Sequence, residues 1–132
     1  MNILFVYFDK IIQNDNLYVK SLCEEIRRQN GSVECSIDAF WNSPRKYDIV
    51  HIQFPEVIFK WRQPSDNGLK ALRQRIARLK SMGTKIVYTR HDAIPHYCTD
   101  KNKLELYRIV ETQSNAIIHL GEYSRQEFAR IY

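Results

Sequence analysis

Four side chains able to bind anions or exchange protons crowd one stretch of this chain: Arg90, His91, Asp92 and, just after Pro95, His96. They follow directly on Lys85 to Thr89, a β-branched and aromatic run with strand character. In an open α/β sheet, ligands are met beyond the carboxyl ends of parallel strands. An imidazole placed there can donate to a developing anionic oxygen or take a proton near neutral pH. Equally, His91 could do no more than satisfy a loop carbonyl. Asp92 could fix the His91 tautomer or cap the following turn.

Three further residues stand at similar strand ends. Gln53 and Glu56 flank Phe54-Pro55 after the run Asp48-Ile49-Val50-His51-Ile52, and Glu56 is placed to hydrogen-bond a polyol or to sit solvated in a loop. Ser124 opens Ser124-Arg125-Gln126-Glu127, which has the form of a capping box and would leave helix amides free for a phosphate. His51 and His119 lie inside apolar runs and read as packed, hydrogen-bonded residues. No histidine pair has the i, i+4 spacing of a helical metal site, so no metal is expected.

These groups need a scaffold. Ile3 to Phe8 reads as a buried strand, and a helix follows to about Gln29, closed by Asn30-Gly31 with glycine in the left-handed position. Val33 to Asp38 alternates apolar and polar residues, as a more peripheral strand does, and Ala39 to Tyr47 reads as a loop. Asp48 to Phe54 is a third strand, and Glu56 to Pro64 has no clear period. A helix spans Ser65 to Met82, with Leu69, Leu72, Ile76 and Leu79 on one stripe and Gly83 as its stop. Lys85 to Thr89 is a fourth strand; Asp100 caps a helix to about Thr112; Ala116 to Leu120 is a fifth strand. Strands alternating with helices predict a single α/β domain over residues 1–132. The expected architecture is a Rossmann-like three-layer αβα sandwich with a five-stranded parallel sheet, order 3-2-1-4-5.

Composition narrows the partners. A hydrophobic content of 44% with 27% charged residues belongs to a globular chain, and a net charge of +5 favours anionic partners. Three widely spaced cysteines in no C-x-x-C pair give no disulfide framework and suit a reducing cytoplasm. The first βα loop has no G-x-G-x-x-G and no P-loop, there is no G-x-S-x-G elbow, and Gln53 stands where a receiver domain needs aspartate.

Taken in order, Tyr47-Asp48-Ile49-Val50-His51-Ile52-Gln53-Phe54-Pro55-Glu56, then Lys85 to Asp92 with Pro95-His96, then Ala116 to His119 and Glu122-Tyr123-Ser124, resemble the N-terminal domain of a GT-B glycosyltransferase. The type is the retaining, glycogen-synthase-like one that builds bacterial surface polysaccharides. The resemblance covers nearly the whole chain. It implies metal-independent transfer from a nucleotide-sugar co-substrate, with no other cofactor, to a glycan or lipid-linked acceptor hydroxyl. His91 would face the transferring sugar, as the catalytic residue. Gln53, Glu56, Arg90, Asp92, His96 and Ser124 would line the substrate side. It also implies a C-terminal nucleotide-sugar domain, in cis or in trans, that residues 1–132 do not include, so that this chain alone would be inactive. Glycines common in the family's first loop are missing from Asp9 to Asp15.

Lys70, Arg73, Arg75, Arg78 and Lys80, beside Phe59 and Trp61, could hold the protein at the inner face of a membrane; they could equally be a solvated helix face. The rival reading is a non-catalytic Rossmann-like nucleotide- or nucleic-acid-binding module. Without an RNA-binding signature or aromatic platform, nucleic acid is not the expected partner. A flavodoxin-like mononucleotide protein is a third option.

Overall fold

The computed structural model describes residues 1–9, 16–92 and 100–132. Five parallel strands form one sheet: β1 (Asn2–Phe5), β2 (Ser32–Cys35), β3 (Ile49–Ile52), β4 (Lys85–Arg90) and β5 (Ala116–His119). Among the described residues, five α-helices connect or follow them: α1 (Leu17–Arg28), α2 (Ile37–Asn42), α3 (Asp66–Ser81), α4 (Lys101–Gln113) and α5 (Glu122–Ile131). A short 3-10 helix covers Pro55–Phe59.

Alternation along each strand sends side chains to two cores. Leu4, Val6, Val50, Ile52, Ile86 and Tyr88 meet the α3 stripe of Leu69, Leu72, Ile76 and Leu79, together with Leu106, Ile109 and Val110 from α4. Ile3, Phe5 and Tyr7 meet Val19 and Cys23 of α1 on the opposite face. This is a three-layer αβα arrangement, Rossmann-like as the alternation of elements predicts. Full burial of each α3 stripe residue stabilises by roughly 1.5–3 kcal/mol.

The strand order is β2-β1-β3-β4-β5, which corrects the expected 3-2-1-4-5. The reason is burial. Val50, His51 and Ile52 are buried, so β3 must be sandwiched, and it pairs with β1 and β4. In β2, Ser32 is exposed and Val33, Glu34 and Cys35 are only half-buried, which suits an edge. The order reverses between β1 and β3, and the crevice of such a sheet opens at that point, at the carboxyl ends of the strands.

Local chemistry explains three other differences. Residues 39–47 are not all loop: Ser36 accepts from the Ala39 amide at 2.9 Å and starts α2, whose Ile37, Ala39 and Phe40 are buried. At the end of α1, Asn30 and not Gly31 takes the left-handed conformation, with φ of 65°. Gly31 is required for space instead, since a Cβ there would lie 2.7 Å from Ile26 Cγ2. Finally, α5 begins at Glu122 with Gly121 as its cap residue, so Ser124 lies inside the helix and the capping box does not form. Gly83 does stop α3 as expected, at φ of 89°.

Candidate functional site

The carboxyl edge of β3 and β4 holds a continuous polar network. Gln53, Thr89 and His51 are buried, and His91 is half-buried just beyond β4. Residues 51 and 53, like 89 and 91, share one face of their strands, which brings the four together across the β3–β4 pair. The Thr89 hydroxyl and the Gln53 amide lie 2.8 and 3.1 Å from His51 Nε2, and the same amide donates to Thr89 Oγ1 at 3.3 Å. Gln53 Oε1 lies 2.7 Å from His91 Nε2.

With Gln53 in that orientation its donors and acceptors agree along the whole chain. Burial, with His91 nearby, lowers the His51 pKa to about 4, so His51 is neutral at pH 7 and accepts at Nε2. Gln53 Oε1 can only accept, so His91 carries its proton on Nε2. Burial lowers the His91 pKa too, partly opposed by the Asp92 carboxylate. His91 is therefore neutral at pH 7 and presents Nδ1 as a lone-pair acceptor.

Aromatic rings fix its orientation. His91 stacks on Phe54 at a centroid distance of 4.7 Å, and Tyr18 meets it edge-on at 5.6 Å. Phe54 in turn meets Trp61 at 6.2 Å. Tyr18 and Trp61 are 46% and 50% exposed, so the outer rings of this row face solvent. Lys60 and Trp61 both have left-handed backbones, with φ of 55° and 64°, a conformation that costs roughly 1–2 kcal/mol for an L-residue.

The remaining sequence candidates divide sharply. Arg90 is 2% exposed and turned inward. Its Nε donates to Glu111 at 2.9 Å, and its Nη1 donates to Glu127 at 3.1 Å and to the Ser124 hydroxyl at 3.2 Å. Ser124 Oγ also lies 3.0 Å from His119 Nδ1. Arg90 and Ser124 thus hold α4 and α5 to the sheet and do not line the crevice. Glu56 is buried and accepts from the Tyr107 hydroxyl at 2.7 Å, so it is neither a solvated loop carboxylate nor presented outward. Asp92 is half-buried beside His91. His96 lies outside the described residues.

Sequence reasoning missed Thr89 and Tyr18, read Trp61 only as an aromatic beside the α3 cations, and read His51 only as packed. The i, i+2 pairs His51/Gln53 and Thr89/His91 were the available signal, because two polar pairs on adjacent buried strands must satisfy one another. Tyr18 gave none, and nothing in the sequence set Trp61 against Phe54.

A cavity of about 420 Å³ lies at the opposite, amino-terminal edge of the sheet, lined by Met1, Ile3, Ile26 and Gly31 with Glu25, Gln29 and Asn30. None of its polar lining residues is buried. Among the described residues no cluster of three or more His, Cys, Asp or Glu could hold a metal ion, and no helix is long and apolar enough to cross a membrane. Compared with protein-family models, curated proteins and solved structures, the chain gives no match.

Proposed function

We propose that this domain is the acceptor-side half of a GT-B glycosyltransferase, transferring a sugar from a nucleotide-sugar to a glycan or lipid-linked hydroxyl. The observation that carries the reading is His91 itself. It is a neutral imidazole held by Gln53 and Phe54 at the carboxyl edge of a parallel sheet, and its Nδ1, without a hydrogen-bond partner among the described residues, could accept from a sugar hydroxyl. Tyr18 and Trp61 beside it offer exposed ring faces of the kind on which the C–H face of a pyranose stacks. A neutral His91 would orient a hydroxyl and would add no charge against a diphosphate. Neutralising the diphosphate would then fall to a second domain, in cis or in trans.

The experiment is ligand-observed NMR on the whole chain with nucleotide-sugars, free nucleotides and simple glycosides, followed by transfer assays with a GT-B C-terminal domain supplied in trans. Binding of glycosides that is lost in His91→Phe is the expected result. Equal binding of all nucleotides with no response to sugars would sink the proposal.

That second outcome would support a non-catalytic nucleotide-binding module. The observation favouring it is the crossover between β1 and β3, with Phe54 and Trp61 beside it to stack a base.

Membrane contact belongs to the same proposal. Lys70 and Arg78 are exposed on α3, whereas Arg75 is spent on the Phe40 and Ser43 carbonyls and Arg73 on Glu105. With Lys80 half-buried, the exposed Lys70 and Arg78 support weak, salt-sensitive docking. Equal pelleting with neutral and anionic vesicles would remove it.

A further inference from the structure

Cys23 and Cys35 face each other between α1 and β2, with their sulfurs 3.7 Å apart. Both are free thiols; Cys23 is buried and Cys35 half-buried. They are twelve residues apart in sequence, and the α1–β2 packing alone brings them together. The two thiols share a hydrogen bond, which lowers the pKa of Cys35 and raises that of Cys23; the nearby Arg27 also favours a Cys35 thiolate. A reactive outer sulfur beside a buried partner is the arrangement of an attacking and a resolving cysteine.

We propose that Cys23 and Cys35 form a reversible disulfide that clamps α1 to β2 and resets the contact between Tyr18 and His91. The oxidant class is a low-molecular-weight disulfide such as oxidised glutathione. The Cys35 thiolate attacks one of its sulfurs, the S–S bond breaks, and one thiolate leaves. Cys23 then attacks the Cys35 sulfur of the mixed disulfide, and its proton goes to the second departing thiolate. In sum two protein thiols become one disulfide, and the small disulfide becomes two thiols.

The consequence follows from the helix. Bond formation requires the sulfurs to close from 3.7 Å to about 2 Å, which draws α1 and β2 together. Tyr18 is on the same helix, five residues before Cys23, and meets His91 edge-on at 5.6 Å. A shift of α1 therefore moves a wall of the candidate site, whatever ligand that site takes.

The test equilibrates the whole chain with glutathione at graded ratios of oxidised to reduced form, then quenches, alkylates and maps the peptides. Expected is a Cys23–Cys35 linked peptide that disappears on reduction, with a shift of the His91 ring-proton resonances between the two states. Cys35→Ser should abolish both. Cys23→Ala should stop at glutathione held on Cys35, which keeps the test decisive if one variant folds poorly. The proposal is overturned by a linked peptide through Cys98, by a stable Cys35 mixed disulfide with Cys23 free in the unaltered chain, or by a bond that forms without moving the His91 resonances.

Discussion

Arg90 and His91 are adjacent in sequence, both ionisable, and both stand at the end of β4, yet they do opposite work. Arg90 points into the protein and meets Glu111, Glu127 and Ser124. His91 points to the other face, half-buried, between Phe54 and Tyr18. The pleat separates them. One step along a strand turns a side chain to the opposite face, so neighbours at a strand end share a position and not a role. A polar cluster at such an edge is half structural by construction.

The largest expected effect tests the structural member. Arg90 and Glu111 are both almost fully buried, with side chains 1% and 4% exposed. Removing one partner leaves a buried charge unmatched, which costs about 3–5 kcal/mol. Arg90→Met should lose that much in urea unfolding, and the double variant with Glu111→Leu should recover most of it. If Arg90→Met keeps its stability, the separation of roles between the two neighbours is wrong.

The next effect is a pH dependence on the His91 side of the sheet. His51 titrates near 4 in the folded chain, against an ordinary value of 6.5. Above about pH 6.5 both states are neutral there, and its contribution to stability is intact. As the pH falls from 6.5 toward 4, the unfolded chain takes a proton that the folded chain refuses. Stability then drops by about 3 kcal/mol, and below 4 this group adds nothing further. His51→Gln should flatten that part of the acid limb, read by urea midpoints at pH 7, 6, 5 and 4. An unchanged slope would mean that His51 is not held neutral by burial.

The same contrast explains how much was legible in advance. The sheet was readable because Val50, Ile52, Ile86 and Tyr88 sit in runs too apolar for anything but buried strands. The edge position of β2 was readable too, from its alternation of polar and apolar residues. An order of 3-2-1-4-5 was inconsistent with that clue, since it put the more apolar β3 at the edge. The direction in which each strand-end side chain points was not legible. Glu56 and Gln53 are each one residue from Pro55 or Phe54, and only the 3-10 turn after β3 sends Glu56 inward to Tyr107. The aromatic row was hidden as well, because Tyr18, Phe54, Trp61 and His91 come from three separate segments.

A smaller effect concerns the loop that presents Trp61. Lys60 is exposed and has a left-handed backbone with no glycine to relieve it. Lys60→Gly should raise stability by about 0.5–1 kcal/mol, the relieved strain less the extra entropy of glycine in the unfolded chain. If the strain serves to place Trp61, glycoside binding should weaken in the same variant. A gain in stability with binding unchanged would make the loop geometry incidental.

The last effect is the most telling, because it falls on the functional member. His91→Phe keeps an aromatic ring against Phe54 and Tyr18 while removing both ring nitrogens. The variant loses the hydrogen bond with Gln53 Oε1, and Gln53 is buried, so that oxygen is left without its partner. The cost should be about 1–3 kcal/mol, as for a buried acceptor left unsatisfied, and below that of Arg90→Met. Glycoside binding should nevertheless fall tenfold or more, and transfer with a supplied C-terminal domain by about 10²–10⁴, the usual worth of a positioned acid–base group. A stability loss matching that of Arg90→Met would place His91 among the structural residues. Small stability loss with full binding would leave its fixed, neutral Nδ1 without a ligand, and the nucleotide-module reading would take precedence.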